Sequence, residues 1–180
     1  KKIIDLLEIE AMDPNQEAVL EGIDLCLLGD QDLKRKNYKG AAQNYANGIE
    51  KGMTAAIALG SNDDSTVALE WVVTALCNEG LCKLQFSDID GAIVSAGTAY
   101  QLSQNTSSES LEVLQEAYEA KKEKPKELEA LQALFVLYKQ QEEAQKGLKL
   151  ARRKKITPME ANKRRNLEFR LSQLEATVKT

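Results

Sequence analysis

Chemistry in a protein needs nucleophiles, bases, metal ligands or phosphate cradles, and this chain is poor in all four. It contains no histidine. That removes Ser–His and Cys–His catalysis, histidine metal sites and the commonest general base near neutral pH. Three cysteines remain, Cys26, Cys77 and Cys82. Cys77 and Cys82 stand five residues apart, so on a helix they point in different directions and cannot form a close ligand pair. Gly22 with Gly29, and Gly91 with Gly97, lie in helical patterns with no GKS or GKT behind them, so no phosphate loop is expected. Asp63-Asp64 and Glu142-Glu143 read as solvated charge. The expectation is a chain with no catalytic residue, no metal and no cofactor, and not an enzyme.

Charge is unevenly placed. Residues 146–180 carry eleven Lys/Arg against three Asp/Glu, a net +8, which leaves −12 on residues 1–145. Such asymmetry predicts separate electrostatic roles for body and tail. The basic residues cluster as Arg152, Arg153, Lys154, Lys155 and then Lys163, Arg164, Arg165. They form a candidate patch for RNA, acidic protein tails or anionic lipid, with a solvated basic helix end as the plainer account.

The elements around these residues are helical. The chain has only 3 prolines and 5% aromatics, and Ala, Leu, Glu, Lys and Gln dominate, all of which favour helix. With 180 residues and 43% hydrophobic side chains it can bury a core as one domain. No apolar run is long enough to span a membrane. The odd cysteine number and the helical setting of the thiols predict reduced cysteines and a cytoplasmic location. The missing initiating Met and leader predict a fragment or a processed chain.

In order, Lys1–Met12 predicts a short amphipathic helix. Asp13-Pro14-Asn15-Gln16 then opens a helix running to about Lys36, with Val19, Ile23, Cys26 and Leu27 inward. Asn37 caps its partner helix, on which Ala41, Tyr45 and Gly48 share one face, and Gly29 is expected to meet Ala41 within the hairpin. Leu76–Tyr100 repeats this stretch without a gap: Gly80 falls on Gly29, Ala92 on Ala41, Asp88 on Asn37 and Ala99 on Gly48, while Ala96 departs from Tyr45. A weaker third copy places Ala144, Leu148 and Ala151 on the small-residue face, with a turn near Gln140-Gln141. Leu111, Leu114 and Tyr118 mark an inserted helix before Pro125. Thr157-Pro158-Met159-Glu160 is a capping box, and Leu167, Leu171, Leu174 and Val178 form a stripe on the helix it opens.

These hairpins resemble tetratricopeptide repeats, helix–turn–helix units with small residues at fixed offsets. The resemblance implies an all-α fold of stacked antiparallel hairpins, a short superhelix closed by a C-terminal capping helix. Repeat 1 is then expected at about 15–59 and repeat 2 at about 66–103. An inserted helix follows at about 108–122, repeat 3 at about 126–155, and the cap at about 158–178. Asn78-Glu79-Gly80-Leu81-Cys82-Lys83-Leu84 followed by Gly91-Ala92-Ile93 is most similar to the co-chaperone repeats of large prolyl isomerases. That class holds chaperone C-terminal carboxylates with five polar residues. Carried onto this chain, two of the five remain: Asn78, and Lys126 in the third repeat. Cys26, Asp30 and Ala130 stand at the other three places, and Asp30 would repel a carboxylate.

The function implied is a scaffold or adaptor that binds a peptide or helix of another protein in a concave groove near Cys26, Asp30, Asn78 and Lys126. A co-chaperone with a degenerate clamp is the narrower alternative, and a chaperone C-terminus is a disfavoured partner. The basic tail is the alternative of a different class, though nucleic acid is not the expected partner.

Overall fold

The computed structural model describes residues 14–60, 63–152 and 158–178, and the side chains of 14–58, 60, 67–144 and 166–177. The described residues form helices and turns, with no strand among them: α1 (Pro14–Lys34), α2 (Tyr38–Leu59), α3 (Asp63–Gln85), α4 (Ile89–Leu102), α5 (Ser108–Lys121), α6 (Lys124–Arg152) and α7 (Pro158–Val178). The fold is all-α, built of antiparallel hairpins. None of the described helices is long and apolar enough to cross a membrane. The helix expected over 1–12 lies outside the described residues.

The turns inside the hairpins share one geometry, which also ends α4, where Gln104 (φ 54°) and Asn105 donate to Gln101 and Tyr100 at 3.0 and 2.9 Å. After α1, Lys36 takes the left-handed region (φ 61°). Its N–H donates to the Leu33 carbonyl (2.9 Å), and that of Asn37 donates to the Asp32 carbonyl (2.9 Å). Fifty-one residues on, Ser87 (φ 65°) and Asp88 make the same bonds to Leu84 and Lys83, at 3.1 and 2.9 Å. Thirty-five residues beyond that, Lys122 (φ 62°) and Glu123 make them to Glu119 and Tyr118, both at 3.0 Å. Each is a Schellman turn, in which the last carbonyls of one helix are satisfied before the chain reverses. The Asn37 and Asp88 side chains then accept the N–H groups of Gly40 and Gly91, capping α2 and α4 as expected.

The turn at Lys122 and the unbroken α6 depart from the helix pairing expected here. The helix expected as an insertion, α5, is the first helix of the third hairpin, and α6 is its second. No turn forms at Gln140-Gln141, since that run consists of good helix formers and α6 continues through it. The spacing was hidden because Gln115 and Glu127 stand where the earlier hairpins carry Gly80 and Ala92. Both side chains are buried.

Packing within the first hairpin follows the small residues. Gly29 lies against the Tyr45 ring, where an added Cβ would sit 2.9 Å from Cε1. Gly48 meets α1 at its closest point: a Cβ there would lie 2.7 Å from the Gly22 carbonyl oxygen and 2.6 Å from Cys26 Sγ. Trp71 of α3 seals the joint, its ring edge facing Gly22 and Gly52. Its buried Nε1 has no hydrogen-bond partner. Leu27, expected inward, is exposed.

The first helices α1, α3 and α5 contact one another in order, and each second helix packs on the first helix of the next hairpin. The main apolar cluster joins Ala96, Leu111, Val113, Leu114, Leu131 and Leu134 to Leu167. Leu171 and Leu174 of α7 pack against that cluster, so the leucine stripe covers the end of the array. A polar joint holds α7 as well. Arg170 Nη2 lies 2.6 Å from Glu119 and 3.7 Å from the buried Glu127, and Gln115 donates to Glu119 at 3.0 Å.

Two stability predictions follow from these contacts. Gly48→Ala should cost about 1–3 kcal/mol, because its new carbon meets a backbone oxygen that cannot move alone. Gly97→Ala, with nothing within 4 Å, should instead gain about 0.5–1 kcal/mol of helix propensity. Urea titration of the two variants decides; equal signs would contradict the register. The second concerns Glu127, whose carboxyl is raised above 4.5 by burial and then by Glu119. A raised carboxylate favours the protonated folded state, so its contribution is present below pH 4.5 and is lost as pH rises. Glu127→Gln should therefore be at least as stable as the native chain at pH 7, with any advantage vanishing near pH 4. A variant that is less stable only at pH 7 would contradict this.

Candidate functional site

Where α3 and α5 lie side by side they enclose an open cavity of about 250 Å³. On α3, Thr74, Cys77, Asn78 and Leu81 recur at three- and four-residue steps and so line one face, with Val73 beside them. On α5, Glu109, Glu112, Val113 and Glu116 do the same. The two helices close on each other because α3 carries Gly80, where a Cβ would meet Val113 Cγ1 at 3.0 Å. Ser107 fixes the start of α5. Its hydroxyl accepts the Ser110 N–H at 3.1 Å, and it lies 3.9 Å from Cys77 Sγ.

Tyrosines from the second helices reach through their hairpins to carboxylates on the first helices. Tyr138 of α6 donates its hydroxyl to Glu112 (2.5 Å), and Tyr45 of α2 donates to Asp30 (2.5 Å). Burial pushes both phenols up, and the neighbouring carboxylate adds to that, so both stay protonated. The turn offsets of 51 and 35 residues place Asp30, Leu81 and Glu116 at one register position, and Cys26, Cys77 and Glu112 at another. Asp30 and Cys26 are thus the α1 counterparts of residues that line the cavity.

No family model matches the chain, and no curated protein matches it.

The residues expected at the site are only partly brought together. Asn78 lines the cavity, and Cys26 and Asp30 hold matching places on α1. Lys126 does not join them. It lies on α6, the second helix of its hairpin, with Nζ 2.7 Å from Glu123 and over the Tyr118 ring at 5.5 Å. Ala130, on the same helix, is buried against the main cluster. Arg153, Lys154 and Lys155 lie outside the described residues, as do the side chains of Arg152, Lys163, Arg164 and Arg165. Glu109, Glu112 and Glu116 were not singled out from the sequence. Their three- and four-residue spacing was the available signal, but it stood on a helix read as an insertion.

Burial raises the thiols of Cys26, Cys77 and Cys82 to about 11, with Asp30 adding to the first and Glu79 to the third. For Cys77 the Ser107 hydrogen bond lowers it partway and Glu109 raises it. Thiols in that range are neutral near pH 7 and are poor nucleophiles. Among the described residues, no group of three or more Cys, Asp or Glu side chains could hold a metal ion. Alkylation by iodoacetamide at pH 8, followed by mass spectrometry, should find all three cysteines about a hundredfold slower in the folded chain than in urea, as a shift from 9.0 to about 11 implies. Fast labelling of Cys77 in the folded chain would contradict the buried cavity wall.

Proposed function

We propose that this chain is a scaffold of tetratricopeptide-like hairpins that binds a peptide or helix of another protein in the groove between α3 and α5. The observation that carries this reading is the cavity itself: a repeated register places apolar Val73 and Leu81 beside the amide of Asn78 on one open face. Apolar contact area with a few fixed polar groups is the composition that peptide-binding grooves use. Contact with the matching face of α1, where Cys26 and Asp30 lie and Leu27 is exposed, would extend the same surface.

The co-chaperone alternative is disfavoured within this reading. A carboxylate clamp needs converging cations and amide donors. Of the two retained clamp residues, Lys126 stands on the wrong helix, and the cavity is lined by three glutamates. In titration calorimetry an Hsp90 C-terminal peptide should give no binding heat, and micromolar affinity lost in Asn78→Ala would restore the clamp.

Selection from a peptide library displayed on phage tests the groove directly. Peptides selected by the native chain should fail to bind a Thr74→Tyr/Asn78→Tyr variant, which fills the cavity without changing charge, provided its melting temperature is unchanged. A selection that returns no peptide, or peptides that bind the filled variant equally well, would contradict the groove.

A further inference from the structure

We propose that the groove's partner is a basic segment of another protein, with lysines or arginines set against α5 and apolar side chains against α3. This rests on the reading of the groove as a peptide site and adds the chemistry of the occupant. Glu109, Glu112 and Glu116 stand in one row along α5, spanning about 10 Å at 1.5 Å per residue. Across from them are Val73 and Leu81 with Thr74, Cys77 and Asn78, and among the described residues no lysine or arginine lines the cavity. The groove is therefore acidic on the α5 wall and mixed apolar and neutral polar on the α3 wall.

Two of the three glutamates of that acidic wall are held in place. Glu112 accepts the Tyr138 hydroxyl from behind, and Glu109 lies near the hydroxyls of Ser107 (3.4 Å) and Ser108 (3.3 Å) at the start of α5. Glu116 is exposed. Asp30 repeats the negative charge at the equivalent position on α1, where the Tyr45 hydroxyl holds it. An acidic ligand would set carboxylate against carboxylate, whereas a cationic one meets an arranged row of acceptors. The −12 on residues 1–145 adds a long-range field of the same sign, which speeds the encounter with a cation and slows that with a polyanion.

The test uses the whole chain and two labelled peptides of one length, one of leucine, alanine and lysine, the other with glutamate for every lysine. Fluorescence anisotropy should show the lysine peptide binding and the glutamate peptide failing to bind. Glu109→Gln and Glu116→Gln, at exposed positions and nearly isosteric, should each weaken the lysine peptide about two- to fivefold. Binding should also weaken as salt is raised. If library-selected peptides occupy the groove without enrichment in lysine or arginine, or if the two Gln variants bind as the native chain does, this inference falls and the groove reading stands. If the lysine peptide binds the Thr74→Tyr/Asn78→Tyr variant unchanged, both fall. The residues 146–180, at +8, are the other basic occupant at hand. Concentration-dependent self-association in sedimentation that is abolished by the Gln variants would assign the groove to a second copy instead and overturn the proposal.

Discussion

Two helices can approach to backbone contact only where a side chain is missing, and this array depends on that contact. Gly22 and Gly48 bring α1 and α2 together with no Cβ between them, and the space they save is taken by Cys26 and the edge of Trp71. Gly80 leaves room for a side chain of α5, since Val113 Cγ1 would lie 3.0 Å from a Cβ added there. Helix pairs of this kind are set by ridges entering grooves, so a missing side chain fixes both distance and register. Where the glycine is replaced, the hairpin finds another filling. In the third hairpin Gln115 and Glu127 occupy the small-residue places, and they are buried beside Glu119 and Arg170.

The turns transmit that order along the chain. Each reverses direction through one left-handed residue and two backbone bonds, so the two helices of every hairpin are joined by the same turn geometry. Repetition brings the first helices α1, α3 and α5 side by side, and their equivalent residues fall on one surface. The groove is a consequence of that repetition rather than a separately built pocket. Its polarity comes from the third hairpin, whose first helix places glutamates at positions where α3 has Cys77 and Leu81. One repeated arrangement thereby acquires an uncharged wall and an acidic one.

Much of the fold could be read from residue types. The cap residues Asn37 and Asp88, the gap-free match of Gly80 to Gly29, and the leucine stripe of α7 each announce an element that the structure contains. The third hairpin could not be found in this way, because the pattern searched for was a run of small residues. That hairpin keeps its turn but fills the small-residue positions with a buried amide and carboxylate. The backbone bonds of its turn leave little mark on side-chain type, since the left-handed position is filled by Lys36, Ser87 and Lys122, none of them the glycine or asparagine that usually announces it. The same misplacement moved Lys126 into the candidate site and left the α5 glutamates out of it.

The groove exists only if α5 lies on α3 at Gly80, and one measurement addresses that contact without passing through function. In a nuclear Overhauser spectrum of the chain with labelled valine methyls, the Val113 methyl should show a strong cross-peak to the Gly80 α-protons, because Val113 Cγ1 would lie 3.0 Å from a Cβ added there. A Val113 methyl that shows no cross-peak to Gly80, and instead contacts residues remote from α3, would contradict the third hairpin's place in the stack and remove the groove with it.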